Sequence, residues 1–97
     1  MAAPAGLRTH LKQLIITACG LTHVTAEEMS DDEILFGPTT RVGLNSLDAV
    51  EIALTIGDQY GVQLKNSSSA REYFQSVGTL ADHIASQMAP ERLSQFE

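Results

Sequence analysis

Gly43-Leu44-Asn45-Ser46-Leu47-Asp48 runs without a break into Ala49-Val50-Glu51-Ile52-Ala53-Leu54-Thr55-Ile56-Gly57-Asp58-Gln59-Tyr60. An Asn-Ser pair directly before the best-patterned helical stretch of a chain stands where side-chain oxygens satisfy the orphan N–H groups of a helix start. The pattern therefore predicts a helix from Ser46 to about Tyr60. Gly61 suits a left-handed cap at its end. Taken alone, Ser46 in this position is a capping residue.

On a helical wheel Asp48, Glu51, Thr55, Asp58 and Gln59 form one polar stripe that holds no Lys or Arg. The apolar remainder covers about 220° of arc, roughly twice the width needed to face a single core. It divides into two flanks. Ala49, Ile52, Ala53, Ile56 and Tyr60 are assigned to the core, and Leu47, Val50 and Leu54 to a surface that meets a partner. Burial of both flanks by neighbouring helices is the plainer alternative.

Upstream, Leu7, Leu11, Leu14, Ile15 and Ala18 recur at the spacing of an amphipathic helix over Leu7–Cys19, ended by Gly20. Leu21 to Asn45 has no sustained period. Leu21, Val24, Met29, Ile34, Leu35 and Phe36 punctuate it and are expected to pin a long ordered loop, because an unpinned one of this length does not suit a compact fold. Ser30-Asp31-Asp32-Glu33 has the form of a helix start and predicts one short turn of helix.

Downstream, Val62 and Leu64 alternate with polar residues for too short a run to found a sheet. Lys65-Asn66-Ser67-Ser68-Ser69 reads as a polar link, with a Ser69/Glu72 capping box opening a short helix from Ala70 to about Gln75. After a break at Ser76-Val77-Gly78, Thr79 is expected to cap a last helix with Leu80, Ile84 and Met88 on one stripe, stopped by Pro90. Three longer helices, one short helix and a long first connection make an all-α four-helix bundle. The 97 residues are expected to form a single domain with frayed ends at about 1–5 and 90–97.

Twelve acids against six bases give a formal charge of −6, and the stretch from Glu27 to Asp58 holds eight acids with Arg41 as its only base. Nucleic acid and anionic membrane are poor partners for such a chain, and a basic protein surface is the natural complement. The single cysteine cannot form an internal disulfide or, with His10, His23 and His83 so scattered, a zinc site. Cys19 is expected to act as a small, partly buried hydrophobe, since nothing electropositive nearby would activate it. Glu27, Glu28, Asp31, Asp32 and Glu33 lack the ligand spacing of a calcium loop and are expected to be a solvated face. Met1 to Gly6 has neither a charged lead nor a long apolar run, so no signal peptide or membrane span is expected and the cytoplasm is the default location. Serine hydrolysis is disfavoured, because Ser46 is not in a Gly-x-Ser-x-Gly elbow and no histidine is positioned by sequence as its base.

Leu44-Asn45-Ser46-Leu47-Asp48-Ala49-Val50-Glu51-Ile52 resembles the Leu-Asp-Ser-Leu-Asp-x-(apolar)-Glu-(apolar) signature of the acyl carrier protein family. The likeness extends to Leu35-Phe36-Gly37, to Tyr60-Gly61-Val62-Gln63-Leu64, and to Ala70 through Ile84, so that it covers roughly Leu7 to Met88. It departs at Asn45, where the family has Asp.

The resemblance implies an acyl-carrier-like bundle that is not itself an enzyme, with phosphopantetheine attached covalently to Ser46 and Asn45 and Leu47 flanking the site. A phosphopantetheinyl transferase would load it. Acyl-loading, ketosynthase and other acyl-processing enzymes of fatty-acid, lipid or polyketide-like biosynthesis would then dock on Leu47, Asp48, Val50, Glu51, Leu54 and Asp58. The chain would act as a monomer, with no catalytic residues, no metal, no nucleic acid and no membrane. A peptidyl or aminoacyl carrier is the nearest rival, and an unmodified carrier-fold docking module is a rival of another class.

Overall fold

Helix α1 spans Ala5–Cys19 in the computed structural model, which describes residues 3–37, 40, 42–64 and 73–96. It begins ahead of its first apolar residue because the Pro4 carbonyl accepts from the N–H groups of Leu7 and Arg8 at 3.1 and 3.2 Å. Helix α2 spans Ser46–Tyr60, as its pattern predicts. Gly20 and Gly61 end the two helices at φ +63° and +68°, a left-handed backbone that glycine adopts without a Cβ penalty. Helix α3 spans Val77–Gln87, and a short helix α4, Pro90–Leu93, passes into a 3₁₀ turn over Ser94–Phe96.

The core lies where α2 and α3 pack against α1. Leu7, Leu11 and Ile15 meet Ile52, Ile56 and Tyr60 and the α3 residues Val77, Leu80, Ala81 and Ile84, all of them buried. Full burial of each large aliphatic side chain is worth about 1.5–3 kcal/mol, so this seam is the main source of stability. Among the described residues the only β pairing is an isolated parallel bridge between Phe36 and Leu44. The chain is all-α, as expected.

The long connection between α1 and α2 buries Val24, Met29, Leu35, Val42 and Leu44. Two turns stiffen it. Glu28 accepts from the Thr25 N–H at 3.1 Å, and Glu33 accepts from the Ser30 N–H at 3.0 Å. The Ser30 turn does not propagate into the expected helical turn. In a helix the Asp31 carbonyl would accept from Leu35; here it accepts from the Gly78 N–H at 2.8 Å, and the Leu35 N–H goes to the Gln75 carbonyl at 2.9 Å. Tertiary bonds have replaced local ones. Asp31 is likewise no solvated acid, since its carboxylate meets Lys12 Nζ at 2.7 Å and Arg8 Nε at 3.5 Å, tying the loop to α1.

Helix α3 starts earlier than Thr79. Ser76 is its N-cap, accepting from the Thr79 N–H at 3.3 Å, while Thr79 Oγ1 accepts from the Ser76 N–H at 3.0 Å. Only Tyr73–Gln75 of the short helix expected at Ala70–Gln75 are described; the Lys65–Ser69 link and the Ser69/Glu72 capping box lie outside the described residues.

Described residues near either end reach the helices. The Ala3 N–H donates to Asp82 Oδ1 at 2.7 Å. At the other end Arg92 Nη2 donates to the Gln59 carbonyl at 3.0 Å, a cation at the negative end of the α2 dipole. Phe96 packs its ring 5.2 Å from His10 and 5.7 Å from Tyr60. Gly6 admits this tail, since a Cβ there would stand 1.9 Å from the Phe96 carbonyl oxygen.

Candidate functional site at the start of α2

The turn into α2 is closed by Asn45, not by Ser46. Asn45 has extended backbone at φ −123° and ψ −176°, and its Oδ1 accepts from the N–H groups of Leu47 at 2.9 Å and Asp48 at 3.2 Å. Asp48 Oδ2 accepts in return from the Asn45 N–H at 3.0 Å, completing a capping box. Ser46 is therefore the first residue within the helix and is exposed, and its hydroxyl bonds none of the described residues. The Asn-Ser pair marks the helix start as read, but the capping role belongs to its first member.

The approach to the site is fixed as well. Leu44 is buried, with its N–H on the Leu35 carbonyl and its carbonyl accepting from Gly37, both at 3.0 Å. The Gly43 N–H donates to Thr40 Oγ1 at 2.9 Å. An exposed hydroxyl thus stands between a pinned loop and a capped helix.

Ser46 borders a groove of about 1340 Å³ that runs between α2 and the loop segments facing it. Its wall is mostly apolar, with Ile34, Phe36, Val50, Leu54, Leu64 and Phe74 among its residues. Phe36 and Phe74 meet edge to face with ring centroids 5.8 Å apart. Ala49 and Ala53, expected in the core, are only partly buried and line this groove instead. Ile52, Ile56 and Tyr60 are the flank that the core takes up.

The other flank is open. Leu47, Val50 and Leu54 are 76%, 57% and 67% exposed, and Ile34 joins them at 51% from across the groove. Sequence reading placed Ile34 among the residues that pin the loop. The missed signal is that Ile34-Leu35-Phe36 is extended, so that neighbouring side chains point to opposite faces and Leu35 alone goes fully inward.

Of the three acids on the helix, Glu51 and Asp58 are exposed and Asp48 is half-buried. Cys19, at the end of α1, lies within electrostatic reach of the Asp48 and Glu51 carboxylates. Burial first, then the Asp48 carboxylate, then Glu51, push its thiol up to about 11. The thiolate is the reactive form, so alkylation of Cys19 is expected to be slow at neutral pH. The rate should rise about tenfold per pH unit until close to pH 11, where an ordinary thiol levels off near 8.5. Iodoacetamide labelling from pH 7 to 10.5, read by intact mass, checks this, and a plateau near 8.5 would contradict it.

The histidines serve elsewhere. His10 Nδ1 is hydrogen-bonded to the Tyr60 hydroxyl, and burial pushes that phenol up, so that it keeps its proton at neutral pH. His83 stacks on Tyr73 with centroids 4.0 Å apart. Neither lines the groove beside Ser46. Among the described residues no group of His, Cys, Asp or Glu could hold a metal ion, and no helix is long and apolar enough to cross a membrane.

A family model described as "Phosphopantetheine attachment site" matches residues 11–84, from within α1 through most of α3. No curated protein and no solved structure matches the chain.

Proposed function

Because the chain belongs to the phosphopantetheine attachment site family, whose domain carries that group covalently, we propose that Ser46 is the attachment residue and that the protein is an acyl carrier. In this reading it holds acyl intermediates of fatty-acid, lipid or polyketide-like biosynthesis and presents them to the enzymes that act on them. It is a shuttle and not a catalyst. The observation that carries the proposal is the position of Ser46: an exposed hydroxyl on the first residue of a capped helix, at the edge of an apolar groove.

The residues present fit the group. A phosphodiester on Ser46 would lie at the positive end of the α2 dipole. The Leu47 and Asp48 amides are taken by Asn45, which leaves the Ser46 N–H without a partner among the described residues. When bound, phosphopantetheine supplies a terminal thiol that holds the cargo as a thioester. The lining of the groove suits an aliphatic chain better than a peptidyl or aminoacyl cargo, whose polar atoms would find few partners there. Leu47, Val50, Leu54 and Ile34 form an apolar patch beside Glu51 and Asp58, which suits enzymes with basic rims around an apolar contact.

The test is incubation with coenzyme A and a broad-specificity phosphopantetheinyl transferase, followed by intact-mass and peptide mapping. One arm on the peptide that contains Ser46 supports the reading. No arm under any transferase would favour a docking module that is never modified.

A further inference from the structure

We propose that Pro90 to Phe96 is a clasp: it closes on the first turns of α1 and the last turn of α2, and so holds the far end of the helix whose start carries Ser46. This segment lies beyond residues 11–84 that the family model matches, and so does the start of α1 up to His10. Chain on either side of the matched span therefore meets at one place.

Three contacts make the closure. Arg92 Nη2 donates to the Gln59 carbonyl at 3.0 Å, and the guanidinium lies over Gly61, where a Cβ would stand 2.9 Å from Nη1. The Phe96 ring stands 5.2 Å from His10 and 5.7 Å from Tyr60, a pair that a hydrogen bond already joins across α1 and α2. The Phe96 carbonyl then rests on Gly6, where a Cβ would overlap it. Between these points Leu93 packs on the core.

Local preference does not account for this arrangement. Helix α4 has four residues, no side-chain cap and only a three-residue 3₁₀ turn after it, and an isolated helix of that length does not hold in water. Its order comes from what it packs on. In return it brings a cation to the negative end of the α2 dipole. Gly57 and Leu64, which lie before and after the clasped turn, both line the groove beside Ser46, so the clasp braces the end of one groove wall.

The closure makes the effect of Gly6→Ala depend on the tail. Gly6 is the second residue of α1 and exposed, and alanine at such a place raises Tm by about 2–8 °C when nothing opposes it. In the clasped chain the added methyl meets the Phe96 backbone and lifts the tail. Thermal melts of the full chain should therefore show Gly6→Ala to be less favourable in wild type than in the double variant Arg92→Ala/Phe96→Ala, by at least about 4 °C. Amide exchange reads the tail directly. The Leu93 N–H, bonded to the Ala89 carbonyl at 3.0 Å, should exchange at least about tenfold faster in Gly6→Ala and in Phe96→Ala than in wild type.

Equal effects of Gly6→Ala in the two backgrounds would overturn the proposal and leave the tail free in solution. So would a Leu93 amide that exchanges at one rate in wild type and Phe96→Ala. Should the double variant not fold, Leu93 exchange in Gly6→Ala against wild type decides alone, and equal rates overturn the proposal. Neither measurement involves the Ser46 hydroxyl, so the clasp stands or falls separately from the reading of that residue.

Discussion

Ser46→Ala is expected to take up no phosphopantetheine under conditions that load wild type to completion, and yet to melt within a few degrees of it. The two halves of this expectation have different causes. Loading is lost entirely because the oxygen that would form the bond is gone, and no neighbouring hydroxyl occupies the same place at the start of α2.

Stability is spared because the cap belongs to Asn45, whose Oδ1 takes both first-turn amides. Were Ser46 the cap, its removal would cost about 0.5–2 kcal/mol. As an exposed first helical residue without hydrogen bonds to the described residues, it should change stability by less than about 0.5 kcal/mol, since alanine is the best helix former. For a domain of this size that is a shift of about 2–4 °C at most. Intact mass after incubation with coenzyme A and transferase, beside a thermal melt of both proteins, checks the pair. An alanine variant that gains the arm would place the attachment site elsewhere, and one that unfolds would show that the hydroxyl supports the fold.

Neutralising Glu51 and Asp58 together should slow association with the transferase, or with any acyl-processing partner, by about tenfold or more at low ionic strength. Both side chains are exposed, and neither pairs with a cation among the described residues, so little native energy is lost with them. What is lost is a field. The stripe carries no compensating Lys or Arg, and exposed charge of one sign acts mainly on the rate of encounter. Salt should therefore abolish most of the difference between wild type and the double variant Glu51→Gln/Asp58→Asn once ionic strength passes about 0.15 M. Stopped-flow association across a salt series measures it. Identical rates at low salt would mean that the stripe is merely solvated, and equal slowing at all salt concentrations would point to specific contacts.

These expectations draw unequally on sequence and on structure. The Asn-Ser pair, the acidic stripe and the resemblance around Ser46 are legible because each depends on residues within a few positions of one another. That Asn45 is the cap and Ser46 the first helical residue differs from the bare reading by one position. Only the hydrogen bonds of Oδ1 decide it. The consequence is large, since it changes the predicted cost of Ser46→Ala from a lost cap to almost nothing.

Sequence by itself determined the long helices, because an amphipathic period and a terminal glycine act locally: Leu7, Leu11, Leu14 and Ile15 make α1 and Gly20 ends it, whatever packs against them. It also determined that α2 has more apolar surface than one core needs. Which flank stays outside was left to tertiary structure, because a wheel has no partner in it; packing on α1 within the shared core takes Ile52 and Ile56 inward and leaves Leu47, Val50 and Leu54 in solvent. The remaining differences have the same origin. Ser30–Phe36 does not become helix because the Asp31 carbonyl and the Leu35 N–H find partners at Gly78 and Gln75, forty or more positions away in each case. From the tail after Pro90, Arg92 and Phe96 meet the Gln59 carbonyl and the rings of His10 and Tyr60, contacts that no local spacing announces. Local spacing specifies an element when the element satisfies its own backbone. Where a donor, an acceptor or an apolar face must be satisfied from far along the chain, only the folded arrangement can decide.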